Sequence, residues 1–143
     1  MDLAAAWHVK AAAQGYVQAQ FNLGVCFANG KGVLQDAALV ASWYAKAAAQ
    51  GHAKSQFNLG VCFVLGSGVE QDAALAASWY AKAAALGLAP AQFNLGMCYE
   101  RGAGVPANRA LALVWLRKAA AQGDEDAVAA VAHVEARRAA ARI

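Results

Sequence analysis

An all-α solenoid is the fold this sequence predicts, and three observations predict it. The stretch Gln20-Phe21-Asn22-Leu23-Gly24-Val25-Cys26-Phe27 returns as Gln56-Phe57-Asn58-Leu59-Gly60-Val61-Cys62-Phe63 and again as Gln92-Phe93-Asn94-Leu95-Gly96-Met97-Cys98-Tyr99, each time 36 residues on. The tryptophans Trp7, Trp43, Trp79 and Trp115 and the glycines Gly15, Gly51, Gly87 and Gly123 keep the same period. Each period holds two segments of helical pattern separated by a glycine-bracketed loop. A period of about 20 to 50 residues marks an array whose units bury their apolar faces only against their neighbours.

In chain order, a first helix runs from about Asp2, its N-cap, to Gln14, with Leu3, Trp7, Lys10 and Ala11 along one side and Gly15 as its stop. It matches the second half of the later units. The chain therefore reads as one domain over 1–143, with a half repeat at 2–19, full repeats at 20–55, 56–91 and 92–127, and a capping helix over 124–143 that overlaps the last repeat.

Each full unit opens on a leading helix, about Val17 to Ala28 in the first, with Leu23 and Phe27 on one face and Gly24 beside them. A glycine inside a helix costs roughly 1 kcal/mol against alanine. Its return at Gly60 and Gly96 predicts that another helix passes too close for a Cβ. In the loops, Gly30 and Gly32, Gly66 and Gly68, and Gly102 and Gly104 supply positive φ, and Asp36, Asp72 and Asn108 stand at N-cap positions. A phosphate-cradling loop is disfavoured, for no strand precedes the glycines and no Lys-Ser/Thr pair follows them.

The trailing helix, about Ala37 to Gln50, is expected to bury Leu39, Trp43 and Ala47 and to leave Ala38, Ala41 and Ala45 outward, as a solvent face or a docking face. Helices of this length are marginal alone in water. The tryptophan row is expected to hold them, with Trp43 or Trp79 to Ala costing about 3–5 kcal/mol. The last helix, about Asp124 to Arg142, starts on Asp124-Glu125-Asp126 and ends on Arg137, Arg138 and Arg142, which suits the helix dipole.

Composition narrows the function. The chain is 60% hydrophobic, largely through alanine, and no apolar run approaches the roughly 18 residues a membrane-spanning helix needs. Met1-Asp2-Leu3 opens into helix pattern without the basic flank of a signal peptide, although a removed leader would leave no trace. A net charge of +3 with 15% charged residues makes no electrostatic case for nucleic acid. Three cysteines at fixed repeat positions are no secreted disulfide framework, so a soluble protein of a reducing, cytoplasmic compartment is the simpler reading. Cys26, Cys62 and Cys98 are separated by whole helix pairs, with neighbouring helices about 8–10 Å apart. A zinc site needs sulfurs at about 2.3 Å, so the three read as core residues. No metal and no cofactor is expected.

The repeated words themselves, Leu-Gly-x-x-Phe/Tyr, then Gly-x-Gly-Val-x-x-Asp, then Trp-Tyr-x-Lys-Ala-Ala-x-x-Gly, resemble the Sel-1-like repeat, a longer relative of the tetratricopeptide repeat. The resemblance covers essentially the whole chain. Departures are small: glutamine precedes each Phe-Asn-Leu-Gly, and in the third unit Leu116 replaces the tyrosine and Asn108 the aspartate. It implies an α-solenoid of antiparallel helix pairs forming a right-handed superhelix, with the leading helices lining a concave surface. It also implies an adaptor or scaffold role and no chemistry.

On that reading the groove rows are Gln18, Asn22, Val25 and Asn29, then Lys54, Asn58, Val61 and Leu65, then Pro90, Asn94, Met97 and Arg101, and finally Asp126, Ala130, His133 and Arg137. The partner-binding candidates are Asn22, Asn58 and Asn94, which both donate and accept hydrogen bonds, with Lys54, Val61, Leu65, Met97, Arg101, His133 and Arg137. The asparagines serve equally well as register-keeping bonds between helices, and both readings stand. Val61, Val64 and Leu65 form an apolar stripe where a solvated face carries charge. A peptide or protein is the expected partner. Alternatives are head-to-tail assembly of copies into a homo-oligomer and, less well supported, a nucleic-acid reader or an enzyme using His133 with Asp126 or Arg137.

Overall fold

A computed structural model describes residues 2–142 and contains eight α-helices, with no strand among the described residues. They fall into two compact units. Residues 1–72 carry α1 (Leu3–Ala13), α2 (Val17–Asn29), α3 (Ala37–Ala49) and α4 (Ala53–Leu65). Residues 73–143 carry α5 (Ala73–Ala85), α6 (Ala89–Arg101), α7 (Arg109–Ala121) and α8 (Glu125–Ala140). The all-α helical repeat is as expected.

Local chemistry sets the ends of the helices. The carboxylates of Asp2, Asp36 and Asp124 and the amide oxygen of Asn108 accept the backbone N–H three residues on, and so satisfy a donor that the first turn leaves free. Gly30, Gly66 and Gly102 end α2, α4 and α6 in the left-handed conformation. The second loop glycine has another task. A Cβ on Gly68 would fall on the carbonyl of Ala37, and one on Gly104 on that of Ala73, so each loop lies directly on the first turn of the trailing helix before it.

Antiparallel pairing is visible in one bond per unit. Gln50, just past α3, donates from Nε2 to Oε1 of Gln20 near the start of α2 at 2.8 Å, and Gln122 does the same to Gln92 at 2.9 Å. The buried glutamines also donate to the last turn of the preceding helix, Gln20 to Ala12 O and Gln92 to Ala84 O, both at 3.3 Å. One side chain thereby ties three helices together. The glutamines that depart from the repeat pattern are thus its polar pins.

Gly24 and Gly96 behave as predicted. A Cβ on Gly24 would stand 2.6 Å from Cε1 of Tyr44, and one on Gly96 2.7 Å from Cγ of Leu116. Those contacts also correct the expected core. The trailing helices bury Val40, Ala41, Tyr44, Ala47 and Ala48 in α3, and Ala112, Leu113, Leu116 and Ala119 in α7, so Ala41 is core and Leu39 is partly open. Trp43, Trp79 and Trp115 are only half-buried, and each carries the ammonium of the lysine three residues on over its ring, at 4.3 to 4.8 Å. Trp7 is 65% exposed. The indole row is an amphipathic shoulder, because Trp serves a core edge and a wet surface equally. The core runs one residue further along, through Tyr44, Tyr80 and Leu116.

Candidate functional site

In the first unit the candidates sit on α2 and α4. Asn22 is half-buried and accepts a hydrogen bond from Gln18 Nε2 at 3.1 Å. It lies at a cleft of about 220 Å³ that His8, Cys26, Lys31 and Asp2 also line. Asn58, one repeat on, is hydrogen-bonded to the buried hydroxyl of Tyr44, whose phenol is pushed above its ordinary pKa by burial and drawn partly back by that bond. Where the trailing helix has Leu116 in place of the tyrosine, the next leading helix has Ala130 in place of the asparagine. Both are apolar there, and Ala130 packs against the cluster that contains Leu116. At Asn58, therefore, the amide answers a buried hydroxyl, as a register-keeping bond would.

Along the same helix Lys54 is exposed, Val61 half-buried, Val64 open and Leu65 70% exposed. Helix α4 is N-capped by His52, whose Nδ1 accepts from Ser55 N–H at 3.2 Å and lies 2.7 Å from the Ser55 hydroxyl. The ring packs on Phe21 with centroids 4.9 Å apart, and desolvation followed by the charge of Lys54 lowers its pKa. Sequence reasoning left this histidine without a role, yet its place at the N-cap before an apolar helix was signal enough.

In the second unit Asn94 and Met97 are half-buried on α6, and Met97 packs against Leu113, Leu116 and Val134. Arg101 and His133 are exposed. Arg137 on α8 is brought to α6, where its Nη1 donates to Oε1 of Glu100 at 2.6 Å. Glu100 is the residue that sequence reasoning missed. Its side chain is 4% exposed, and its Oε2 lies 3.8 Å from Nε of Arg109. The signal was an acid standing where the other repeats have Ala28 and Val64.

The cysteines are free, Cys62 buried and Cys26 and Cys98 half-buried, and burial raises the thiol pKa of Cys62 and Cys98. Among the described residues no group of three or more His, Cys, Asp or Glu is placed to hold a metal ion, and no helix is long and apolar enough to cross a membrane.

The Sel1 repeat model matches residues 1–16, 17–52, 53–88 and 89–124, which is most of the chain. The chain belongs to the Sel1-repeat family. Solved Sel1-type structures agree. A protective antigen of uropathogenic Escherichia coli with this repeat fold, c5321, is 40% identical at a TM-score of 0.87, over 90% of this chain and 28% of that one. The chain thus spans under a third of that antigen's length. A Sel1 repeat protein from Oxalobacter formigenes is also 40% identical, with a TM-score of 0.82 over 88% of this chain and 95% of its own. Cysteine-rich protein B of Helicobacter pylori is 28% identical, with a TM-score of 0.68 over 84% of this chain and 92% of its own. The comparison with curated proteins finds no match. Sel1 repeats are in general a scaffold type for protein interaction.

Proposed function

We propose that this Sel1-repeat chain is a binding module for a peptide or protein partner, contacted through the outward rows of its leading helices. The observation that carries the reading is Leu65, an apolar side chain 70% exposed at the end of α4, with Val64 open beside it. Leu59 and Cys62 of the same helix are buried, so α4 does not want for core residues. Val64 and Leu65 stand together as an outward apolar pair, and contiguous exposed apolar patches mark interaction sites. Lys54 supplies the charge further up that row, and Arg101, His133 and Arg137 are the polar counterparts on α6 and α8.

Leu65→Asp tests it. The substitution adds charge where the side chain already meets water, so circular dichroism and the thermal midpoint are expected to stay at the wild-type values. Affinity capture with the variant is expected to lose the partner that the wild-type module retains. Undiminished capture of that partner by Leu65→Asp removes the stripe from the site.

A further inference from the structure

Charge is divided unevenly along this chain. The first unit balances four lysines against four acids, whereas the second carries eight basic residues against five acids. Within the second unit the acids Asp124, Glu125 and Asp126 stand at the start of α8, and Arg101, Arg109, Arg137 and Arg138 stand at the end of α6, the start of α7 and the end of α8. Glu100 lies beneath Arg109 and Arg137 with its side chain 4% exposed. It takes Arg137 on Oε1 at 2.6 Å, and its Oε2, 3.8 Å from Arg109 Nε, accepts no hydrogen bond among the described residues.

That arrangement is a poor device for stability. Burying a carboxylate costs desolvation that a pair of arginines roughly offsets. Arg109 also begins α7, where the helix dipole disfavours a cation. The other repeats do without the set, having Ala28 and Val64 at the place of Glu100, and Ala37 and Ala73 at that of Arg109. What the set achieves is to hold a guanidinium in place at the surface. One N–H of Arg137 is spent on Glu100, while the side chain as a whole stays half exposed, with donors left for a second acceptor. Arg101 holds the equivalent position one leading helix earlier and is exposed. Helices α6 and α8 touch, and packed helix axes lie roughly 8–10 Å apart, which sets the scale of the span between the two arginines. An extended peptide in the polyproline II conformation rises about 3.1 Å per residue with three residues per turn, so carboxylates three residues apart share one face and match that distance.

We propose that the α6–α8 surface of this chain binds an acidic, extended segment of the partner protein, with carboxylates at i and i+3 on Arg101 and Arg137 and with Glu100 orienting Arg137. The proposal rests on the binding-module reading and names the chemistry of the partner. The probe is a fluorescein-labelled peptide with glutamate at every third position among glycine and serine, read by anisotropy against the intact chain. Its affinity is expected to fall about fivefold or more in Arg101→Glu, the size of one strong exposed charge pair. It is also expected to fall as NaCl is raised from about 50 to about 300 mM. Arg137→Lys keeps the ion pair to Glu100 and removes the fork, so the thermal midpoint is expected to hold while peptide affinity drops.

Equal binding of the glutamine version of the peptide overturns the proposal, as does wild-type affinity in Arg101→Glu. Tighter binding of a single-stranded oligonucleotide with the same Arg101 dependence overturns it in favour of phosphate recognition. If the acidic peptide does not bind while partner capture still depends on Leu65, this inference falls and the binding-module reading stands.

Discussion

Asn58 and Tyr44 show why a repeated polar residue is not by itself a ligand contact. The tyrosine ring is driven inward by the void that Gly24 leaves, and its hydroxyl must then find a partner inside the unit. Asn58→Ala leaves that hydroxyl unpaired and is expected to destabilise the chain by about 1–3 kcal/mol. Tyr44→Phe removes the need, so the double variant is expected to recover most of the loss. A double-mutant cycle by urea denaturation measures the coupling. A coupling near zero would return Asn58 to the list of residues free to bind a partner.

At the scale of the helix, α4 is the element where folding and the proposed binding meet, since His52 caps it and its far end carries Val64 and Leu65. The cap works only with Nδ1 unprotonated, because it accepts from Ser55 N–H. Desolvation and Lys54 lower the folded-state pKa of His52, while the unfolded chain takes the proton at the ordinary value of about 6.5. Below that value the unfolded state binds more protons than the folded one, so this contribution is intact above about pH 6.5 and is lost as the pH falls. The thermal midpoint is expected to drop between pH 7.5 and pH 5 in the wild type. The drop is expected to be smaller in His52→Asp, since an ordinary aspartate is ionised over that range and a carboxylate can cap a helix by the bond that Asp124 makes to Ala127 N–H. Equal drops in both proteins would assign the pH dependence elsewhere.

Over the whole chain, what a sequence shows is what repeats locally. The 36-residue period, the helices and the caps Asp2, Asp36 and Asn108 were legible because each depends on neighbours a few residues away, and Gly24 and Gly96 because a glycine that recurs inside a helix betrays close packing. The buried stripe of the trailing helices was not. Alanine gives no periodic contrast, and Trp43 is as suited to a core edge as to a core, so Leu39-Trp43-Ala47 and Val40-Tyr44-Ala47 look alike on paper. Glu100 with Arg137, and Gln20 with Gln50, escaped for another reason: 37 and 30 residues separate the partners, and only packing unites them. Those same pins allow a test of how the array is held. Gln20 binds Ala12 O and Gln50, and Gln92 binds Ala84 O and Gln122, with no partner in common. Replacing either by alanine removes both of its hydrogen bonds, for about 1–3 kcal/mol. Repeat arrays sum nearest-neighbour terms. The double variant is therefore expected to lose the sum of the two single losses to within about 0.5 kcal/mol by urea denaturation. A shortfall of 1 kcal/mol or more, at unchanged denaturant slope, would mean that the two pins are coupled and that a sum of local terms does not describe this chain.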